Sequence, residues 1–167
     1  MTESLWRKPA DELSKTRFSV SLVSVERGQD TDQDVLLDHR GRSRAEGSSM
    51  RGDIDVFVTD DITDDAFFVA RLGDTVVGTL VCSRWRLNHW CISHVYVEPD
   101  ARDIGTADAL MHAALDSLRS SAGRIYAQAL PGDRAMKNLF ERHGLTARTI
   151  VVGRELSDPS TEAHASQ

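Results

Sequence analysis

The sequence predicts a single α/β domain built on a mixed, mostly antiparallel sheet flanked by helices. Three observations predict it. Between residues 67 and 97, three β-rich runs follow one another across two tight turns, Gly73-Asp74 and Asn88-His89, as antiparallel strands do. An amphipathic helix then spans 104–121, with Ile104, Ala107, Leu110, Met111, Ala114, Leu115 and Leu118 at three- and four-residue spacing. A further β-rich run, 124–130, comes after it. Strand, helix and strand therefore make one right-handed parallel crossover.

In chain order, residues 1–16 are polar and mixed in charge and are expected to form an N-terminal arm. Phe18, Val20, Leu22 and Val25 nearly alternate within 17–26, which predicts a half-buried strand. Val35, Leu36 and Leu37 predict a helix near 31–40, with Thr31 or Asp32 as its N-cap. A Gly/Ser/Arg-rich loop, 41–52, follows, and 53–65 is densely acidic. The three strands read as 67–72, 75–83 and 90–97, with Pro99 ending the last because proline cannot donate to a ladder. Gly123 stops the long helix. Pro131-Gly132-Asp133 makes a turn, 134–143 a helix closed by Gly144, and 145–156 a last strand or hairpin. The domain thus runs from 17 to 156, and the small, polar residues 157–167 are expected to be a disordered tail.

Composition narrows the function classes. The longest apolar run is five residues, Ala66–Ala70, too short for a membrane helix. The first ten residues hold Glu3, Arg7 and Lys8 without an apolar stretch, so no secretory signal is expected. Two cysteines, Cys82 and Cys91, are too few for a disulfide scaffold, and a reduced, cytoplasmic setting is the expectation. They flank the turn between strands 75–83 and 90–97, with about four residues to its centre on each side, and are expected to face each other as packed thiols. The six histidines show no metal-ligand spacing, so no metal is expected. Net charge is −6, and residues 1–65 carry all of it, with 15 acidic against nine basic side chains. That argues against nucleic-acid binding, which needs a basic face. Asp60, Asp61, Asp64 and Asp65 instead suit attraction of a cationic molecule. Trp85, Arg86, His89 and Trp90 around the turn would line an acceptor site or a homodimer contact.

The stretch that carries chemistry is the strand leading through Pro99, Asp100, Ala101, Arg102, Asp103, Ile104, Gly105, Thr106 and Ala107 into the long helix. The first amides of a helix lack internal partners and sit in positive potential, so such a turn holds phosphate. The ordinary alternative is a strand–turn–helix with a surface arginine. The pattern fits neither a P-loop nor a dinucleotide fingerprint. Arg102-x-x-Gly105-x-Ala107 resembles the acyl-CoA motif of the GNAT N-acyltransferase superfamily, Arg/Gln-x-x-Gly-x-Gly/Ala. Val95-x-Val97-x-Pro99 is similar to its central strand, and Ala135 to Leu145 to its Ala…Leu-Tyr-x-x-x-Gly-Phe segment.

The resemblance implies a GNAT-type fold and acetyl transfer from acetyl-CoA to a primary amine of a small molecule or protein, by direct attack. It places pyrophosphate on the amides of Asp103, Ile104, Gly105, Thr106 and Ala107 with Arg102 at the flank. Pantetheine would run along the strand through Val95 and Val97, in a splay between 90–97 and 124–130. The Val97 amide would polarise the thioester carbonyl. A base is needed, and His94 is the first candidate, with Ser93 and Glu98 as alternatives. His94 and Val97 are an odd number apart, so a regular strand turns their side chains to opposite faces. The chain departs from the family where Phe140 stands for a tyrosine that protonates the departing thiolate. Tyr126, His143 or solvent would take that role. Phe140 also keeps open a non-catalytic module that binds acyl-CoA.

Overall fold

Residues of period two make the centre of the molecule a sheet: Ala66, Phe68 and Ala70 alternate along one strand, Leu80 and Cys82 along the next, all buried. The computed structural model describes residues 22–47, 65–86, 88–120 and 122–148. Among them the strands are β1 (Ser24–Arg27), β2 (Asp65–Leu72), β3 (Thr75–Arg86), β4 (His89–Val97) and β5 (Arg124–Ala127), side by side in chain order. The first four are antiparallel and β5 lies parallel to β4. The helices are α1 (Gln33–Gly47), α2 (Thr106–Leu118) and α3 (Arg134–Arg142).

Alternation along β3 divides the molecule. Leu80 and Cys82 point into a core completed by Ile92, Val95 and Val97 of β4, Leu110, Met111 and Ala114 of α2, and Phe140 of α3. Thr79 points the other way, to the buried His39 of α1. An apolar helix covers one face and a largely polar one the other. Two devices tie α1 down. Asp32, in the short turn before it, accepts from the Gln29 amide at 3.0 Å and pairs with Arg71 of β2. Further along, Arg42 pairs with Glu98 and Glu46 with Arg102.

Several expectations change. The 31–40 helix runs on to Gly47, into the predicted loop, because these ion pairs hold a sequence whose apolar content alone is too low to signal a helix. Thr31 and Asp32 lie inside the turn that precedes it. The long helix starts at Thr106, since Asp103 (φ +62°) and Gly105 (φ +88°) take left-handed conformations that no helix accommodates. Ile104 is thus excluded from the apolar stripe and is 44% exposed. The last strand ends at Ala127 rather than 130. Residues 145–148 form no strand, and the rest of the expected 145–156 hairpin lies outside the described residues. So do the arm, the tail, residues 17–21 of the first strand, and Asp60, Asp61 and Asp64.

The cysteines are both free and buried, but they do not face each other. Cys82 opposes Ile92 and Ser83 opposes Cys91, so the two thiols point to opposite faces. Trp90 is a core residue, and Arg84 lies over its ring at 5.2 Å.

Gly78 tests the tightness of this packing. A Cβ there would sit 3.1 Å from the Tyr96 carbonyl and 3.2 Å from Leu110 and Thr106. Gly78→Ala is expected to lower unfolding stability by about 1–3 kcal/mol, read by urea denaturation, through overpacking where α2 begins.

Candidate active site

Strand β4 is paired unequally on its two edges. Against β3 it pairs from His89 to Val97, whereas against β5 it pairs only from His89↔Arg124 to Ile92↔Ala127. Beyond Ile92 no strand among the described residues lies on that second edge, and β5 itself ends at Ala127, short of the predicted 130. The pairing stops beside a bulge: Val81 opposes His94 and Cys82 opposes Ile92, leaving Ser93 as the extra residue. The Glu98 amide donates to Val77 of β3 at 2.9 Å, while the Val97 carbonyl accepts from Arg102 Nε at 2.9 Å. Since successive peptide groups alternate in direction, the N–H groups of Val95 and Val97 face the opened edge.

The turn at the end of β4 brings helix amides next to this edge. Positive φ at Asp103 and Gly105 curls residues 102–105 ahead of α2, and a Cβ at Gly105 would meet nothing within 4 Å. The Thr106 hydroxyl donates to the Ala101 carbonyl at 2.8 Å, so Thr106 offers the site its amide and not its side chain. Ala107 follows in the first turn of the helix, half-buried against the core. Arg102 is engaged on α1: its Nη2 reaches both Glu46 oxygens at 2.9 Å, and its guanidinium lies 5.7 Å from the Tyr96 ring. The residue expected to flank phosphate thus also clips the turn to α1.

On the α1 face a file of side chains joins three elements. Glu98 Oε1 lies 3.2 Å from His39 Nε2, His39 Nδ1 lies 3.1 Å from Thr79 Oγ1, and Thr79 Oγ1 lies 3.1 Å from His94 Nε2. Arg42 donates to both Glu98 oxygens, at 2.9 and 3.0 Å. Burial pushes the His94 pKa down to about 4, helped by Arg40 and His39. His39 is also lowered, by its burial, with Glu98 opposing. Both imidazoles are therefore neutral at neutral pH. Beside His94, across the strand pair, Val81 lines a cavity of about 310 Å³ together with Arg27, Asp30, Leu36, Arg40 and Phe67.

The other candidates are placed as follows. Ser93 is tied to Ser83 Oγ at 3.0 Å. Glu98 is held by Arg42 and His39, and with Asp38 these acids and His39 bring metal-type donor atoms within 4.8 Å of one another. Arg42 bridges both carboxylates and supplies the cation there itself. Phe140 is buried in the core. His143 Nε2 lies 3.0 Å from Asp108, which Arg142 also contacts. Burial alone would raise the Asp108 pKa, but hydrogen bonds from His143 and Arg142 outweigh it and lower it. The Cys91 thiol is pushed up to about 11 by burial, which leaves it an inert packing group.

Sequence reasoning missed His39, Thr79 and Glu46 as members of the site. The partners of His39 lie 40 and 59 residues away, those of Thr79 40 and 15, and that of Glu46 56, so no motif-like spacing reveals them. The one local signal is His39 three positions after Leu36, which puts a histidine on the inner face of a polar helix.

The fold has known counterparts. Residues 35–145, more than half of the chain, match the model of the acetyltransferase (GNAT) family. The chain belongs to that family and is an acyltransferase. No curated protein matches the sequence significantly. Among solved structures, a ribosomal-protein-alanine N-acetyltransferase from Brucella melitensis biovar Abortus 2308 is similar at 19% identity and TM-score 0.61, over 80% of this chain and 99% of that one. An aminoglycoside acetyltransferase from an uncultured soil metagenomic sample, in complex with sisomicin, is 16% identical at TM-score 0.61, over 81% and 96%. An aminoglycoside N-acetyltransferase in complex with CoA is 14% identical at TM-score 0.58, over 80% and 100%. No helix among the described residues is long and apolar enough to cross a membrane.

The buried neutral imidazoles make stability depend on pH with a definite sign. Their folded pKa values lie below the unfolded value of 6.5, so the unfolded chain takes up protons first. Stability is therefore full above about pH 6.5 and falls as pH drops towards 4, where His94 accounts for roughly 3 kcal/mol. Chemical denaturation between pH 7.5 and 4.5 is expected to show this decline, with a smaller slope in His94→Gln.

Proposed function

We propose that this chain moves an acetyl group from acetyl-CoA to a primary amine of a small molecule or protein, by direct attack without a covalent enzyme intermediate. The observation that carries the reading is the opened edge of β4, where the N–H groups of Val95 and Val97 adjoin the curled turn 102–107. Amides of Asp103, Ile104, Gly105, Thr106 and Ala107 hold the pyrophosphate, and Arg102 flanks it. Pantetheine extends β4 along its free edge, and the Val97 N–H receives the thioester oxygen as negative charge develops. His94, neutral and beside the 310 Å³ cavity, takes the proton of the attacking amine.

The acceptor enters from the α1 side. The described cavity lining carries Arg27 and Arg40 against Asp30, so attraction of a cationic acceptor has to come from Asp60, Asp61, Asp64 and Asp65. Thiol release from acetyl-CoA, followed with a panel of amines, tests the reading. Release is expected to require both substrates, and KM for polyamine or lysine-type acceptors is expected to rise with ionic strength. Cofactor binding without turnover would instead favour a non-catalytic module, and a salt-independent KM would remove the acidic segment from acceptor choice.

Arg102 has a separate test because Glu46 competes for it. Arg102→Ala is expected to raise KM for acetyl-CoA about tenfold, the loss of one charge-assisted contact. Glu46→Gln, which releases the guanidinium, is expected to lower that KM. An unchanged KM in Arg102→Ala would assign the arginine to the α1 clip alone.

A further inference from the structure

The file Glu98, His39, Thr79, His94 has a direction that its chemistry fixes. Glu98 is ionised, since Arg42 donates to both its oxygens, and a carboxylate only accepts hydrogen bonds. His39 Nε2 must therefore carry the proton it points at Glu98. In neutral His39, Nδ1 is then bare and accepts from the Thr79 hydroxyl. That hydroxyl has a single proton, already committed, so its oxygen accepts from His94 Nε2–H. His94 Nδ1 is left bare, and among the described residues it has no hydrogen-bond partner. One carboxylate at the far end thus selects which nitrogen of His94 is basic.

Building on the reading of His94 as the base, we propose that Thr79 and His39 form a proton relay behind it, in which the proton of the attacking amine is parked on His39 beside Glu98 and returned to the departing thiolate. As the amine nitrogen bonds to the acetyl carbon, its N–H bond breaks and the proton goes to His94 Nδ1. His94 Nε2–H passes its proton to Thr79 Oγ1, and Thr79 passes its own to His39 Nδ1. The result is a neutral His94, a neutral Thr79 and a His39 imidazolium paired with the Glu98 carboxylate. When the carbon–sulfur bond breaks with its electron pair on sulfur, each transfer reverses and His94 Nδ1 protonates the thiolate. Every group returns to its starting tautomer, and the products are the amide and CoA thiol.

Two features of the molecule become intelligible through this relay. An imidazole buried as His94 is holds a proton poorly, and the file moves the charge to a site with a carboxylate beside it. Phe140 stands where relatives carry a proton-donating tyrosine, and here the acid is supplied from the opposite face of the sheet. The charged and titratable groups around the file are Asp38, Arg40 and Arg42 of α1, Tyr96 of β4, and Glu98 after it. His39 and Thr79 touch no substrate. They are positioning residues that act through His94.

The test uses the full chain in steady-state acetyl transfer, in mixtures of H2O and D2O. Wild type is expected to give a bowed proton inventory on kcat, the sign of several protons moving together. Thr79→Val, which keeps the shape but removes the hydroxyl, is expected to lower kcat about 10- to 100-fold. Its KM for acetyl-CoA stays within about twofold and its proton inventory becomes linear. Thr79→Ser is expected to restore most of the lost kcat. Should Thr79→Val not fold, Glu98→Gln at the 25%-exposed end of the file reads the same link, with kcat expected to fall about tenfold. Wild-type kcat and a bowed inventory in Thr79→Val, alongside lost activity in His94→Ala, would overturn the relay and leave His94 acting alone. Unchanged kcat in His94→Ala would overturn the underlying assignment of the base as well.

Discussion

Strand β4 is held on one edge for its whole length and on the other for only four residues, and the site is arranged around that imbalance. A strand inside a sheet has no free backbone groups to offer. At the edge of a sheet it has them but is exposed to water along its side. Here the pairing with β5 fixes the position of β4, and its early end at Ile92 releases the amides of Val95 and Val97 within a packed interior. The 102–107 turn continues the same strand, so the opened edge and the first amides of α2 share one short piece of chain.

The two faces of β4 do different work. Towards α2 it presents Ile92, Val95 and Val97, which fix its height in the core. Towards α1 it presents His94 and Tyr96, which meet His39 and Thr79 in a polar layer. Burying these polar groups is tolerable because His94, Thr79 and His39 hydrogen-bond in file, ending in the Arg42–Glu98 pair near the surface. The helix that completes this layer is short of apolar side chains. Its attachment to the sheet is electrostatic at both ends, through Asp32 with Arg71 and Glu46 with Arg102.

The sequence was most legible where a repeating pattern meets a local constraint. The β2–β3 hairpin at Gly73-Asp74, the end of β4 before Pro99, and the apolar stripe of α2 all follow from neighbours within a few residues. So did the Arg102–Ala107 turn, because a glycine of positive φ and a helix start are encoded locally. The second half of α1 was hidden, as ion pairs to residues more than 50 positions away leave no periodicity. His94 could be singled out on its strand beside the motif, while His39 and Thr79 could not, because they meet it only through the packing of α1 on the sheet and the β3–β4 pairing. The placement of Cys82 and Cys91 misled because β3 runs four residues past Cys82 whereas β4 begins only two before Cys91, so Cys82 meets Ile92 instead.

The bulge at Ser93 has a consequence for how this strand can vary. With Ser93 as the supernumerary residue, Ile92 and Val95 face the same way although they are three apart. The strand therefore reads in two frames joined at one position, one set by the β3–β4 turn and the other by Pro99. Removing a single residue near 93 would bring the frames into phase and turn His94 towards the core, or Ile92 out of it. Length is thus as strictly specified here as chemistry. A lineage can exchange side chains along β4 one at a time, but it cannot gain or lose a residue there and keep both faces.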